Sequence, residues 1–207
     1  MLNSLTLVLR KLPLFSSLVT SRRQRSTRFP EVSGSLLPTQ VNTLASLEVN
    51  HLINSGIRGI ILDLDNTIVS EDDRYLSPDA EFWIQRTKQS GLKFFILSNG
   101  KRRYRVEYWS AYLEIPAIYA AKKPFPGSFR KALSTMELTP KQVVVIGDSR
   151  HTDMLGAWLT GCSSIQVASL PHPPRWWERL LGTYVQIPYP VDQELWEFHH
   201  SPHSKRP

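Results

Sequence analysis

Asp63 and Asp65 stand two residues apart at the end of Gly59-Ile60-Ile61-Leu62, a short apolar run. Such a run reads as a strand buried on both faces. An unpaired charge is costly inside a buried strand. The two acids therefore belong at its carboxyl end, where an open α/β sheet has its ligand crevice. Residues i and i+2 of a strand point the same way. Two carboxylates aligned like this can hold a divalent metal, or divide the work of nucleophile and general acid/base. An Asp-x-Asp pair alone also fits a strand that merely ends in an acidic turn, so the rest of the chain has to weigh the two readings.

Three more polar clusters follow apolar runs. Residues 92–97 lead into Ser98 and Asn99, residues 115–119 precede Lys122-Lys123-Pro124, and residues 143–146 meet Gly147-Asp148, with Asp153 five positions on. The elements that must position them read in order as helix, about 43–54, ended by Gly56; strand, about 58–64; and helix, from Ser77-Pro78-Asp79 to Ser90. Pro is favoured at the first helical position. A strand at 92–97, a helix at about 102–113 and a short outer strand at 115–119 come next. A helix at about 126–136, a strand at 143–146, a helix at 152–160 and a last strand near 164–168 complete the pattern. Strands alternating with helices at short intervals predict an α/β fold with a doubly wound parallel sheet. Each polar cluster then falls at a β-to-α turn on one sheet edge. Any one cluster means little, whereas four in order on one edge form a joint signal.

In this arrangement Asp63-Leu64-Asp65-Asn66-Thr67, Ser98, Lys123 before Pro124, and Gly147-Asp148 through Asp153 resemble the four motifs of the haloacid dehalogenase (HAD) superfamily. The resemblance covers about residues 57–170. Within the superfamily the chain is similar to the YqeG-like group of subclass IIIA phosphatases, whose eukaryotic members act on phosphatidylglycerophosphate. The resemblance implies that Asp63 is a nucleophile forming an aspartyl-phosphate. It implies that Asp65 protonates the leaving oxygen and then activates water. Mg²⁺ would be held by Asp63, Asp148 and the backbone carbonyl of Asp65, with Asp153 supporting the metal shell or orienting the lysine. Ser98 through its hydroxyl and Asn99 through its backbone N–H would meet phosphoryl oxygens, and Lys123 would compensate charge. Lys122 is a rival for that role, and Lys123 is preferred because the family lysine directly precedes proline. Thr67 would tie the loop after the first strand by hydrogen bonding.

The intervals from Thr67 to Ser98 and from Ser98 to Lys123 are too short for a cap domain, which predicts an open site. An open site suits a large substrate or one presented on a surface, such as a lipid headgroup. The alternatives are a phosphatase acting on a soluble sugar phosphate, nucleotide or phosphoprotein, and an interaction protein of the same fold with little turnover. The intact acid pair and Lys123 argue against the last of these.

The 207 residues divide into a basic extension and linker (1–39), the α/β domain (40–170) and a Pro- and Trp-rich extension (171–207). Of a net charge of +7, six cations lie in the first thirty residues (Arg10, Lys11, Arg22, Arg23, Arg25, Arg28), with no acid before Glu31. The body is close to neutral, which argues against a nucleic-acid partner. Residues 1–20 are Leu-rich but interrupted by Arg10 and Lys11, which makes them a poor membrane span. They read as an amphipathic surface helix, as an organelle transit peptide, or as an unpacked extension. The expected location is cytoplasmic, with a peripheral membrane surface as a partner, or a plastid or mitochondrion if residues 1–30 are a transit peptide. Arg175-Trp176-Trp177 fits either a membrane interface or a packed C-terminal helix. The one cysteine, Cys162, excludes an internal disulfide and a structural zinc site.

Overall fold

The apolar side chains of Ile60, Ile61 and Leu62 leave their strand nowhere to go but the middle of a sheet, and that is its place. The computed structural model describes residues 37–173, 180 and 185–198. In chain order these form β1 (Gln40–Val41), α1 (Val49–Asn54), β2 (Gly59–Leu62), β3 (Tyr75–Leu76), α2 (Ala80–Gln89), β4 (Lys93–Leu97) and α3 (Arg103–Leu113). They continue with β5 (Ala117–Ile118), α4 (Pro126–Met136), β6 (Val143–Gly147), α5 (Leu155–Thr160), β7 (Ser163–Ser169), β8 (Ile187–Pro188) and β9 (Trp196–Glu197). The main sheet runs β1-β7-β6-β2-β4-β5, with every pair parallel. Ile60 is in register with Phe94 on one side and Val144 on the other.

Alternation along β2 divides the core. Ile60 and Leu62 face a layer with Leu52 of α1, Trp83 and Ile84 of α2, and Val106 and Trp109 of α3. Ile61 faces Phe129, Ala132 and Met136 of α4 and Ala157 of α5. Both faces are covered, as parallel sheets require. Burying each such side chain contributes roughly 1.5–3 kcal/mol. Between Thr67 and Ser98 the chain forms only β3, α2 and β4, and between Ser98 and Lys123 only α3 and β5. No cap domain is inserted at either place.

Where boundaries differ from the sequence reading, a local bond explains it. The expected helix over 43–54 splits into a 3₁₀ turn (Leu44–Ser46) and α1, because Leu47 is extended and its carbonyl accepts a 2.7 Å bond from Trp83 Nε1. Pro78 does not begin α2. Asp79, at φ 54°, turns the chain first. The helix expected from Thr152 opens with a wide π turn, Arg150–Met154, in which the Met154 N–H reaches the carbonyl of Ser149 at 3.3 Å. The four strands that the reading missed, β1, β3, β8 and β9, are two residues each, too short to show a period.

Part of the C-terminal stretch packs onto the sheet. β8 pairs in parallel with the end of β7, β9 pairs antiparallel with β3, and the Phe198 ring lies 4.9 Å from that of Trp109. Among the described residues no helix is long and apolar enough to cross a membrane. Residues 1–30 and Arg175-Trp176-Trp177, and what is expected of them, lie outside the described residues.

Candidate active site

The carboxyl ends of β2, β4 and β6 and the loop after β5 converge on one edge of the sheet. Asp63 continues the β2–β6 ladder one residue past the strand, its N–H bonded to the carbonyl of Ile146 at 2.9 Å. That ladder fixes where its side chain starts. Lys123, also buried, places Nζ against Asp63 Oδ1 and 2.7 Å from Asp153 Oδ1. Lys122 is exposed and is not among the residues that line the cavity, whereas Lys123 is. Asp153 is brought in by the π turn, and its second oxygen accepts from Thr152 Oγ1 at 3.1 Å and from the Ser149 N–H at 3.3 Å. The approach needs glycine at position 147, since a Cβ there would lie 2.4 Å from Asp153 Cγ. Asp148 Oδ2 accepts from Ser169 Oγ and Gln186 Nε2, each at 2.7 Å.

Asp63, Asp148 and Asp153 are all buried, and each offers an oxygen within 4.8 Å of the others. Three carboxylates face one ammonium. Burial, then the charge of Asp153, pushes Asp63 well above the ordinary carboxylate value, and the opposing pull of Lys123 does not offset this. Burial and Asp153 likewise push Asp148 up to about 7. Burial alone would lower Lys123, but Asp153 and Asp63 outweigh it, and the ammonium is held charged. Three ionised carboxylates against one ammonium leave two negative charges unbalanced, and a site of this kind, built from hard oxygen donors, fits a divalent cation such as Mg²⁺. The carboxylate of Asp65 is not in this group.

Asp65 is instead tied on the other side of the site. Its Oδ2 accepts from Ser98 Oγ at 2.6 Å and its Oδ1 from Arg105 Nη1. Ser98 is fully buried, and the Gly100 N–H closes on its hydroxyl at 2.9 Å. The hydroxyl expected to face a phosphoryl oxygen is therefore turned onto Asp65 in this structure. Gly100 also leaves room there, as a Cβ would lie 2.9 Å from Ser98 Oγ and 3.2 Å from Asp65 Oδ2. Asn99 bridges two loops, accepting from the Lys123 N–H at 2.7 Å and donating to its carbonyl at 3.0 Å. Thr67 is buried and its hydroxyl has no hydrogen-bond partner among the described residues. It corrects the expectation for this residue. The loop is tied by Asn66, which accepts from the Glu71 N–H through Oδ1 at 2.9 Å and from the Leu170 N–H through its carbonyl at 2.9 Å.

A cavity of about 710 Å³ opens on this edge, lined by Asp63, Asp65, Asn99, Lys123 and Asp148 among others. Thr67, Ser98 and Asp153 do not line it. Two of its residues escaped the sequence reading. Arg105 sits in a run of cations at 101–105, and only its helical phase with Trp109 and Leu113 marked it for burial. Gln186 carried no signal at all, because the β8 pairing that delivers it links positions about twenty residues apart.

The chain matches the HAD-hydrolase-like family model over residues 120–180. It is 39% identical over 127 residues to the probable phosphatase YqeG of Bacillus subtilis, covering 61% of this chain and 73% of that protein. The chain belongs to the HAD-like hydrolases. A second similarity, at 29% identity over 115 residues, is to phosphoserine phosphatase of Thermus thermophilus, over 51% of this chain and 46% of that one. Among solved structures, the cobalt-bound deoxy-D-mannose-octulosonate 8-phosphate phosphatase of Haemophilus influenzae aligns with a TM-score of 0.48 at 18% identity, over 56% of this chain and 71% of that chain.

Proposed function

We propose that this HAD-type phosphatase is a Mg²⁺-dependent phosphomonoester hydrolase that works through an aspartyl-phosphate on Asp63. The observation that carries the reading is the buried ammonium of Lys123 shared between Asp63 and Asp153 at the floor of an open cavity. A carboxylate attacking a phosphoryl group is an anion attacking an anion, so positive charge has to be in place first. Lys123 provides part of it. Asp63, Asp148 and Asp153 are the side chains that would hold Mg²⁺, which supplies the remaining charge against the phosphoryl oxygens when bound.

In the first step an oxygen of Asp63 attacks phosphorus, and the ester oxygen departs with a proton from Asp65. In the second step Asp65 takes a proton from water, the water oxygen bonds to phosphorus, and phosphate leaves with Asp63 restored. Asn99 joins the loop after β4 to the Lys123 loop, which keeps nucleophile and cation in register.

The substrate we favour is phosphatidylglycerophosphate. Support comes from the resemblance to the YqeG-like group and from the absence of an inserted cap between Thr67 and Lys123, which lets a headgroup enter from a surface. Likeness to a phosphoserine phosphatase favours the second reading, a soluble phosphomonoester. The deciding measurement is phosphate release with Mg²⁺ from phosphatidylglycerophosphate in mixed micelles beside a panel of soluble esters, with Asp63→Asn as control. Strong selectivity for the lipid supports the first reading. Release from soluble esters alone discards it and keeps the chemistry. No release above the control overturns both.

A further inference from the structure

Arg105 is a surface residue by type, yet its guanidinium is buried and bonded on three sides. It is 1% exposed, yet it borders the cavity. Its three nitrogens go three ways. Nε donates to Asp73 Oδ1 at 2.7 Å, Nη2 to the carbonyl of Ser70 at 2.9 Å, and Nη1 to Asp65 Oδ1. Asp73 also accepts from Trp109 Nε1 at 3.3 Å, one helical turn along α3. Trp109 in turn packs against Phe198. The guanidinium is therefore bolted to α3 and to the loop before β3, and one remaining arm is left to hold Asp65.

We infer that Arg105 is a positioning residue that holds the Asp65 carboxylate where it can exchange a proton with the leaving oxygen. The inference rests on the hydrolase reading above, and it adds a residue that the four motifs do not contain. Among the described residues, the other hydrogen bond to the Asp65 carboxylate comes from Ser98. A carboxylate with one anchor can rotate about its last torsion, whereas two anchors on its two oxygens set its plane. Lysine could not replace the arginine, because a single ammonium cannot reach three acceptors that lie in different directions, while the planar fork does so without rearrangement.

The test uses the full-length enzyme with Mg²⁺ and two leaving groups. An alkyl phosphate needs a proton on its departing oxygen. p-Nitrophenyl phosphate does not, and kcat/KM reports steps only up to its release. Arg105→Lys should lower kcat/KM about 100-fold for the alkyl ester and no more than about threefold for the aryl ester, the scale expected when a proton donor is misplaced. A role in folding or phosphate binding would lower both alike, and equal losses, or none, would overturn the inference. A second measurement is independent of turnover and of whether Arg105→Lys folds. The side-chain ¹⁵N–¹H signals of Arg105 should shift and exchange faster in Asp65→Asn protein than in wild type, and signals unchanged between the two would overturn the tie. Failure of wild type to hydrolyse any ester above the Asp63→Asn control would instead sink the hydrolase reading, and the NMR comparison would then judge whether Arg105 holds Asp65.

Discussion

Lys123 Nζ lies between Asp63 and Asp153, bonded to both and 2.7 Å from the second. One ammonium thus serves two carboxylates, one just past the end of β2 and one in the π turn after β6. It orients the proposed nucleophile and at the same time prevents it from being an unpaired buried charge.

Lys123→Met should therefore act on both stability and turnover. Removing one partner of a buried ion pair costs about 3–5 kcal/mol, and losing the cation at the phosphoryl site should cost about 100-fold or more in kcat. Thermal melts and phosphate release would measure the two effects separately. A variant that melts like wild type and retains full kcat would refute both roles.

Asp63→Asn should abolish turnover and leave the fold intact. Because burial and the charge of Asp153 hold the Asp63 carboxyl well above its ordinary value, the charged form destabilises the metal-free protein. At pH 8 without Mg²⁺ the asparagine variant should melt at or above the wild-type temperature. A clearly lower melting temperature there would contradict the charge imbalance, and residual turnover would remove Asp63 as nucleophile.

The pH dependence has a definite sign. Asp148, raised from 3.8 to about 7 by burial and then by Asp153, keeps its proton in the folded chain over a range where the unfolded chain has lost it. Its contribution to metal-free stability is complete below about pH 3.8 and is lost as pH rises through about 7. Asp63 moves in the same direction. Metal-free stability should therefore fall between pH 5 and pH 8, by up to roughly 3 kcal/mol from this group, and the melting temperature should fall with it. Stabilisation by added Mg²⁺ should grow over the same range, since the ligands must lose protons to bind. Melts with and without Mg²⁺ across that range would check it, and a Mg²⁺ effect that shrank with rising pH would count against the site.

Gln186→Ala removes one of the two donors that orient Asp148 Oδ2. Loss of such a supporting bond weakens metal affinity by about 10–100-fold. The Mg²⁺ concentration for half-maximal activity should rise accordingly, and direct titration calorimetry should show the same change. Asp148→Asn should raise the requirement further. An unchanged metal titration in both variants would remove Asp148 as a ligand.

Much of the fold was legible because its signals are local. A run such as Val143–Ile146, four β-branched residues ended by Gly147, reads as a buried strand by its length and composition, and four such runs with helices between them leave a parallel sheet as the solution. Chain geometry then places whatever follows each strand on one edge, which is why Asp63, Asp65, Asn99, Lys123 and Asp148 meet at one cavity. The positions of the three acids depend on strand ends, whereas the Lys123 loop is also tied to Asn99.

What the tertiary structure alone decided are the partners. Whether Ser98 faces a ligand or Asp65 depends on a hydroxyl rotation set by Gly100 and Asp65. Whether Lys122 or Lys123 enters the site depends on the loop path after β5, and Asn99 fixes that path. Arg105 reaches Asp65 across forty positions, and Gln186 reaches Asp148 across thirty-eight. The types and spacing of the residues determined the strands, the edge and the acids. The hydrogen bonds that hold those acids join segments far apart in the chain, and no periodicity records them, because each is a single contact fixed by packing of the whole.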